Sequence, residues 1–171
     1  VTGRAMILVS TVAAAAVLTV PLVDPPSKRF IWNASDSVPI GLYRLRPIGR
    51  LAVTNLVVVL PPPPLAAFLS ERGYLPRGVP MLKRVLALPG QTVCRTAVMV
   101  AVDQIELGEA RRLDSRGRSL PVWQGCHVVA SDEIFLMNWQ SATSFDGRYF
   151  GVLPTTAVVA RAEPVWTDEQ E

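Results

Sequence analysis

A mostly β domain carried on one N-terminal helix is the fold class that this sequence predicts. Three observations predict it. Residues Ala5 to Val23, AMILVSTVAAAAVLTVPLV, form an uncharged apolar segment near the start of the chain. After it come short runs rich in β-branched and aliphatic residues, LAVTNLVVVL and MLKRVLAL among them, bounded by proline and glycine turns. The chain has 171 residues, enough for one domain with a real core.

The elements follow in order. Residues 1–4 are an N-terminal tail. Residues 5–23 approach the ~20 apolar residues that cross a bilayer as a helix. Ser10, Thr11 and Thr19 are tolerable there, because a hydroxyl can bond back to the helix backbone. The segment reads as an uncleaved membrane anchor or as a signal peptide. In the second case Arg4 is the charged start and Ala13 to Ala16 the cleavage region. The apolar run continues past the alanines, which favours the anchor; a buried core helix is the third reading. Basic residues flank both sides, so the positive-inside rule does not orient the segment. Asp24 to Arg29 is a linker, and residues 24–171 form the folded domain. Phe30 to Tyr43 carries a turn with two serines. Leu51 to Leu60 reads as a strand ended by Pro61 to Pro64. Leu65 to Arg72 reads as a short helix stopped by Gly73. Met81 to Leu88 is a strand closed by the Pro89-Gly90 turn, and Gln91 to Val102 continues as strand. Asp103 to Arg118 is a polar hairpin or small insertion. Val128 to Met137 holds a turn and then the strand IFLM. Asn138 to Asp146 is a polar loop, and Val158 to Val165 a last strand.

Composition excludes some function classes. Half of the residues are hydrophobic and the formal net charge is only +3. The arginines are scattered, with no run and no aromatic interleaving, so nucleic acid is not an expected partner. Two cysteines, Cys94 and Cys126, and one histidine, His127, are too few for a structural zinc site, and no cofactor is expected. If the domain is exported, Cys94 and Cys126 are candidates for one disulfide; otherwise they are two unrelated buried thiols.

Three stretches carry candidate chemistry. NASDSVPIGLYRL, from Asn33, places Ser35 and Ser37 beside Pro39 and Gly41, which keep this region out of a regular helix. The serines are turn formers, or a nucleophile and its neighbour. In MLKRVLAL, side chains alternate across the strand. Lys83 shares a face with Met81, Val85 and Ala87, and Arg84 shares the other with Leu82, Leu86 and Leu88. Both faces are apolar. A buried Arg84 would need a carboxylate, because arginine cannot discharge. A buried lysine can discharge, and a neutral amine beside a hydroxyl is a general base. A snorkelling lysine on an edge strand is the plainer reading. The third stretch, NWQSATSFDGRYFGVLP, sets Ser144, Asp146 and Arg148 at alternate positions. If it is extended, all three point the same way, and Asp146 becomes a partner for Arg84 and Arg148. Taken alone, this stretch reads better as a polar loop with a chance salt bridge. A Ser–His–Asp triad has only His127 to draw on.

Together these stretches resemble the signal peptidase I clan of serine–lysine peptidases, and within it the conjugal-transfer branch, the TraF-type pilin peptidases. The pieces NASDSVPIGLY, RGYLPRGVPMLKRVLALPGQTVC and FLMNWQSATSFDGRYFG arrive in the family's order, from Asn33 to Gly151. The resemblance implies a signal-peptidase-like β catalytic domain. It implies Ser37 as nucleophile and Lys83 as general base. Arg84, Asp146 and Arg148 fall on the ionic cluster that holds the site, Ser144 on the serine near the lysine amine, and Ser35 near the hydroxyl that assists the oxyanion hole. The chain departs from the family in four places. Only Val38 separates Ser37 from Pro39. Gly147 replaces a serine, Gln91 replaces the aspartate after Pro-Gly, and Asn138 stands where a Gly-Asp-Asn turn is expected.

The resemblance further implies a periplasmic domain anchored in the inner membrane. The implied partners are the lipid bilayer, the conjugative transfer machinery, and a pilin precursor or another exported, membrane-embedded preprotein. Water or the pilin's own N-terminal amine would resolve the acyl-enzyme, giving a linear or a cyclic product. The alternatives are a general type I signal peptidase acting on many exported proteins, and a non-catalytic envelope scaffold.

Overall fold

The computed structural model describes residues 3–23 and 29–168, with side chains for all of these except 17–23. Helix α1 (Gly3–Val23) is followed by strands β1 (Phe30–Asn33), β2 (Gly41–Arg46) and β3 (Leu56–Val59), then helix α2 (Pro63–Glu71) and strand β4 (Met81–Ala87). Next come β5 (Thr92–Thr96), β6 (Met99–Val102), β7 (Ile105–Glu109), β8 (Gly125–Val128) and β9 (Glu133–Leu136). A one-turn helix α3 (Gly147–Phe150) precedes β10 (Val152–Pro154) and the long β11 (Val158–Thr167). The domain is mostly β, as expected.

In α1 the described apolar side chains, Met6 to Val12, stay exposed. The Ser10 and Thr11 hydroxyls both fold back onto the Ile7 carbonyl, so neither leaves a polar group unsatisfied. Among the described residues no helix is long and apolar enough to cross a membrane. The side chains of the second half of the expected anchor, 17–23, and most of the expected linker, 24–28, lie outside the described residues.

Two antiparallel sheets build the domain. The larger has the order β1-β2-β11-β3-β4-β9-β10, the smaller β7-β6-β5-β8. The hydrophobic pattern explains how the larger sheet is covered. In β3 every residue is buried: Val57 and Val59 pack on one face with Leu69 of α2, Met81 and Val85. Leu56 and Val58 pack on the other with Val38, Tyr43 and Leu82. Successive side chains point to opposite faces, so a continuous apolar run can serve two core layers. A third layer joins the sheets: Leu86 and Ala87 of β4 and Phe135 of β9 meet Val93, Val100 and Val102. At Gly41 a Cβ would lie 2.1 Å from the Trp166 carbonyl oxygen, so only glycine lets β2 start this close to β11.

Several expected elements change. The expected strand Leu51–Leu60 shrinks to Leu56–Val59, because Ala52 to Asn55 form a turn closed by Asn55, with Thr54 at φ 75°. Gln91–Val102 is two strands, not one; the chain reverses after Thr96 with Ala97 at φ 55°, making the β5–β6 hairpin. The polar stretch Asp103–Arg118 contains β7 before it becomes an insertion. Strands β1 and β2 flank the serine turn and pair with each other, Asn33 opposite Gly41.

The Cys94–Cys126 disulfide exists. It ties β5 to β8, where the two residues are cross-strand partners.

Candidate active site

The serine turn is a closed loop between two paired strands, organised by the side chain of Asn33. Its amide nitrogen donates to the Ser35 carbonyl (2.6 Å), the Val38 carbonyl (2.9 Å) and the Pro39 carbonyl (3.1 Å). Its Oδ1 accepts from the Ser35 hydroxyl at 3.0 Å and more distantly from the Ser35 N–H. Tyr43 donates its hydroxyl to the Pro39 carbonyl at 2.6 Å, and Val38 is buried. The turn thereby leaves Ser37 half-buried, with its Oγ 3.1 Å from Ser35 Oγ.

Lys83 is buried at the middle of β4, on the same face as Met81 and Val85. Its Nζ donates to Ser144 Oγ at 2.8 Å. Burial lowers the Lys83 pKa from the ordinary 10.5 to about 8. The Arg148 guanidinium lowers it too, against the opposing pull of Asp146. A substantial neutral fraction is thus present near neutral pH, where a solvated lysine has almost none. Ser37, Lys83 and Ser144 all line one cleft of about 530 Å³. Lys83 and Ser37 are not hydrogen-bonded to each other: the amine holds Ser144 and the hydroxyl holds Ser35. Such bonds commonly tighten only when substrate is bound.

Asp146 and Arg148 form a buried, two-pronged ion pair. Arg148 Nε donates to Asp146 Oδ1 at 2.9 Å, and Nη2 to Oδ2 at 2.9 Å. The remaining guanidinium protons go to the Ser141 carbonyl (2.6 Å), the Ser144 carbonyl (3.2 Å) and neighbouring carbonyls. The pair therefore clamps the loop that carries Ser144. Among the described residues no buried side-chain polar atom lacks a partner, which is the condition under which a buried ion pair is tolerable. The geometry differs from a simple extended strand. Asp146 is extended but caps α3, and Arg148 returns to it from within that helix.

Arg84 does not join this cluster. It projects from the other face of β4, where its guanidinium donates to the Thr54 carbonyl (3.2 Å) and lies over the Trp139 ring. Exposure and the aromatic face take the place of the expected carboxylate. His127 pairs with Glu133 away from the cleft. Among the described residues no group of His, Cys, Asp or Glu could hold a metal ion.

Two asparagines matter that sequence reasoning left unassigned. Asn33 opens the serine stretch. Asn138 brackets Lys83: its carboxamide accepts from the Arg84 N–H and donates to the Leu82 carbonyl, the two peptide groups on either side of the lysine. Its own N–H donates to Asp146. The departure from the Gly-Asp-Asn turn at this position was the available signal. Two other departures also acquire reasons. Gly147 is needed because a Cβ would meet Phe135 Cε2 at 2.5 Å and the Leu136 carbonyl at 2.6 Å. Gln91 caps its own turn by accepting from the Leu88 N–H and donating to Asp103.

The insertion supplies one wall of the cleft, through Arg111, Leu113 and Asp114. It is tied down where Tyr74 donates its hydroxyl to Asp114, which also pairs with Arg118. These bonds hold the Asp114 carboxyl below the usual carboxylate range, the Tyr74 bond most of all.

The β domain thus brings a half-buried serine and a buried lysine onto one cleft. The model of the signal peptidase family, peptidase S26, matches residues 2–167, and the chain belongs to that family. Among its relatives is the "Conjugal transfer protein TraF" of Agrobacterium fabrum, 34% identical over 145 residues, 79% of this chain and 81% of the relative. The "Plasmid transfer protein TraF" of Escherichia coli is 34% identical over 148 residues, with the same shares covered. A solved signal peptidase I from Enterococcus faecalis V583 aligns over 67% of this chain and 97% of its own at 19% identity, with a TM-score of 0.40, too loose a likeness to bear on the argument.

Proposed function

We propose that this chain is a serine endopeptidase with Ser37 as nucleophile and Lys83 as general base, and that it processes a pilin precursor for conjugative transfer. The observation that carries the proposal is a lysine buried in an apolar sheet, with its pKa lowered to about 8, on the cleft that also receives Ser37. A serine hydroxyl is a weak nucleophile until a base takes its proton. Neutral Lys83 takes the Ser37 proton as Oγ bonds to the substrate carbonyl carbon. The tetrahedral oxyanion then faces the Ser37 N–H, and the Ser35 hydroxyl once it turns from Asn33. Collapse breaks the C–N bond, and protonated Lys83 gives its proton to the departing amine. Ser144 and the Asp146–Arg148 pair keep the amine aimed into the cleft. The acyl-enzyme ester is resolved by water, or by the precursor's own N-terminal amine to give a ring.

We place the domain on the periplasmic side of the inner membrane, with α1 as its anchor and the transfer machinery as its neighbour. The apolar α1 side chains, exposed where they are described, and the relation to conjugal-transfer proteins support this placement.

The test is a maturation assay. Wild type, Ser37→Ala and Lys83→Ala are each expressed with a pilin precursor, and the intact mass of the pilin is read. Wild type is expected to trim the precursor and both variants to leave it whole. A product one water lighter than the linear chain identifies ring closure. Processing by Ser37→Ala overturns the assignment. Equally efficient trimming of unrelated exported preproteins would turn the reading to a general signal peptidase.

A further inference from the structure

We infer that Arg111 is a specificity-determining residue, which takes the carboxylate of an aspartate or glutamate side chain in the substrate segment that lies in the cleft. The inference rests on the serine–lysine peptidase reading and adds to it a class of residue that the substrate carries.

Four charged residues line the cleft: Asp36, Lys83, Arg111 and Asp114. Two of them are committed. Lys83 is buried on the floor and bonded to Ser144. Asp114 is saturated, accepting from the Tyr74 hydroxyl, from Arg118 Nε and from the backbone N–H groups of Arg116 and Arg118. It stands only three residues beyond Arg111, yet its oxygens are taken and it does not pair with that arginine. Arg111 uses its backbone N–H, which donates to the Tyr149 hydroxyl at 3.0 Å. Its guanidinium has no hydrogen-bond or ion-pair partner among the described residues. Arg112, the next cation, is not part of the cleft wall. Asp36, the other uncommitted charge, comes from the serine turn and repels a carboxylate from that side.

The backbone that offers Arg111 is held at each neighbouring residue. The Ala110 N–H donates to the Val98 carbonyl at 2.7 Å, and the Leu120 N–H to the Arg112 carbonyl at 3.0 Å. Leu113 bridges to Ser119. Arg118 reaches the Arg72 carbonyl (2.9 Å), and Arg72 reaches back to the Ser119 carbonyl (3.2 Å), which sews the insertion onto the end of α2. A cation presented from a fixed wall loses less freedom on meeting its partner than one on a loose loop. The planar guanidinium fork matches a carboxylate with two parallel bonds. The rest of this side of the cleft is apolar, with Leu69, Leu75, Val79, Leu113 and Leu120. Such a lining weakens solvent screening and strengthens the attraction. A peptide seated here lays aliphatic side chains on these residues and one carboxylate on Arg111.

The experiment uses the full chain in detergent at low salt. The probe is a fluorogenic peptide spanning the junction mapped by the pilin mass. Each residue near the cut is replaced in turn by aspartate, asparagine or lysine, and the set is cleaved by wild type, Arg111→Gln, Arg111→Glu and Ser37→Ala. Wild type is expected to favour aspartate over asparagine at one position by about tenfold in kcat/KM. The difference is expected in KM, the mark of an interaction shared by the ground and transition states. Arg111→Gln is expected to lose the preference, and Arg111→Glu to favour lysine at that position. A wild type indifferent to charge at every position overturns the inference, as does an aspartate preference kept by either Arg111 variant. In both cases an inactive Ser37→Ala leaves the peptidase reading standing. Activity in Ser37→Ala overturns that reading and the inference with it.

Discussion

Lys83 shows what a single residue costs and why its neighbours are arranged as they are. In the unfolded chain it holds its proton up to about 10.5, and in the folded one only to about 8. Below pH 8 both states are protonated, and the folded state carries the full penalty of a buried charge, about 3 kcal/mol for that difference. Between pH 8 and 10.5 the unfolded state binds more protons, so stability rises with pH; above that window the penalty is gone. Lys83→Met is therefore expected to be more stable than wild type at pH 7. The gain is about 2 kcal/mol once the lost bond to Ser144 is discounted. The gap should close as pH rises through the window, and urea unfolding at pH 7 and pH 10 reads it. The Asp146–Arg148 pair and the two bonds from Asn138 fix the backbone and loop around this unfavourable group.

At the scale of elements, α3 is one turn long and yet seats both ends of the buried ion pair. It can lie against β9 only because Gly147 has no side chain. Gly147→Ala would drive a methyl into the Phe135 ring and the Leu136 carbonyl, with an expected loss of about 2 kcal/mol and a Tm lower by about 4–8 °C in a thermal melt. A serine at this position would meet the same walls. Element by element, the sequence was legible where local pattern decides the outcome. MLKRVLAL read as a strand with two apolar faces and is β4, and the helix expected over Leu65 to Arg72 is α2, which begins two residues earlier because Pro63 and Pro64 are accepted in its first turn. Strands β1 and β2 escaped notice because FIWN is a short edge with Phe30 and Trp32 exposed, and because GLYRLR alternates weakly. The pairing of Asp146 with Arg148 was legible but its geometry was not: period-two reasoning assumes extension, and Arg148 instead returns from within α3 to the residue that caps it. Asn33 and Asn138 were invisible as functional groups because their importance lies in which backbone atoms they reach, which only the folded pairing of distant strands determines.

The molecule as a whole places the candidate nucleophile and base on different parts of one sheet. Ser37 follows the edge strand β1, Lys83 lies on β4 nearer the middle, and the cleft between them is walled by the insertion that follows β7. The sheet as a body, rather than any single loop, sets the separation between them. Under the proposed mechanism the turnover rate follows the neutral fraction of Lys83. The kcat–pH profile is therefore expected to rise tenfold per pH unit below about 8 and level off above it. A profile flat from pH 6 to 9 would separate Lys83 from the proton transfer.

The bond between Cys94 and Cys126 bears on when this molecule becomes complete. Strand β5, which it secures, also carries Arg95, whose guanidinium donates to the Arg148 carbonyl behind the ion pair. Such a bond forms in an oxidising compartment and stays open in the cytosol. On the proposed periplasmic placement, a chain still in the cytosol would have its sheets but lack the brace on that strand, and the last tightening would come only after export. The order of events in biogenesis would then guard the cell against a peptidase finished on the wrong side of its membrane.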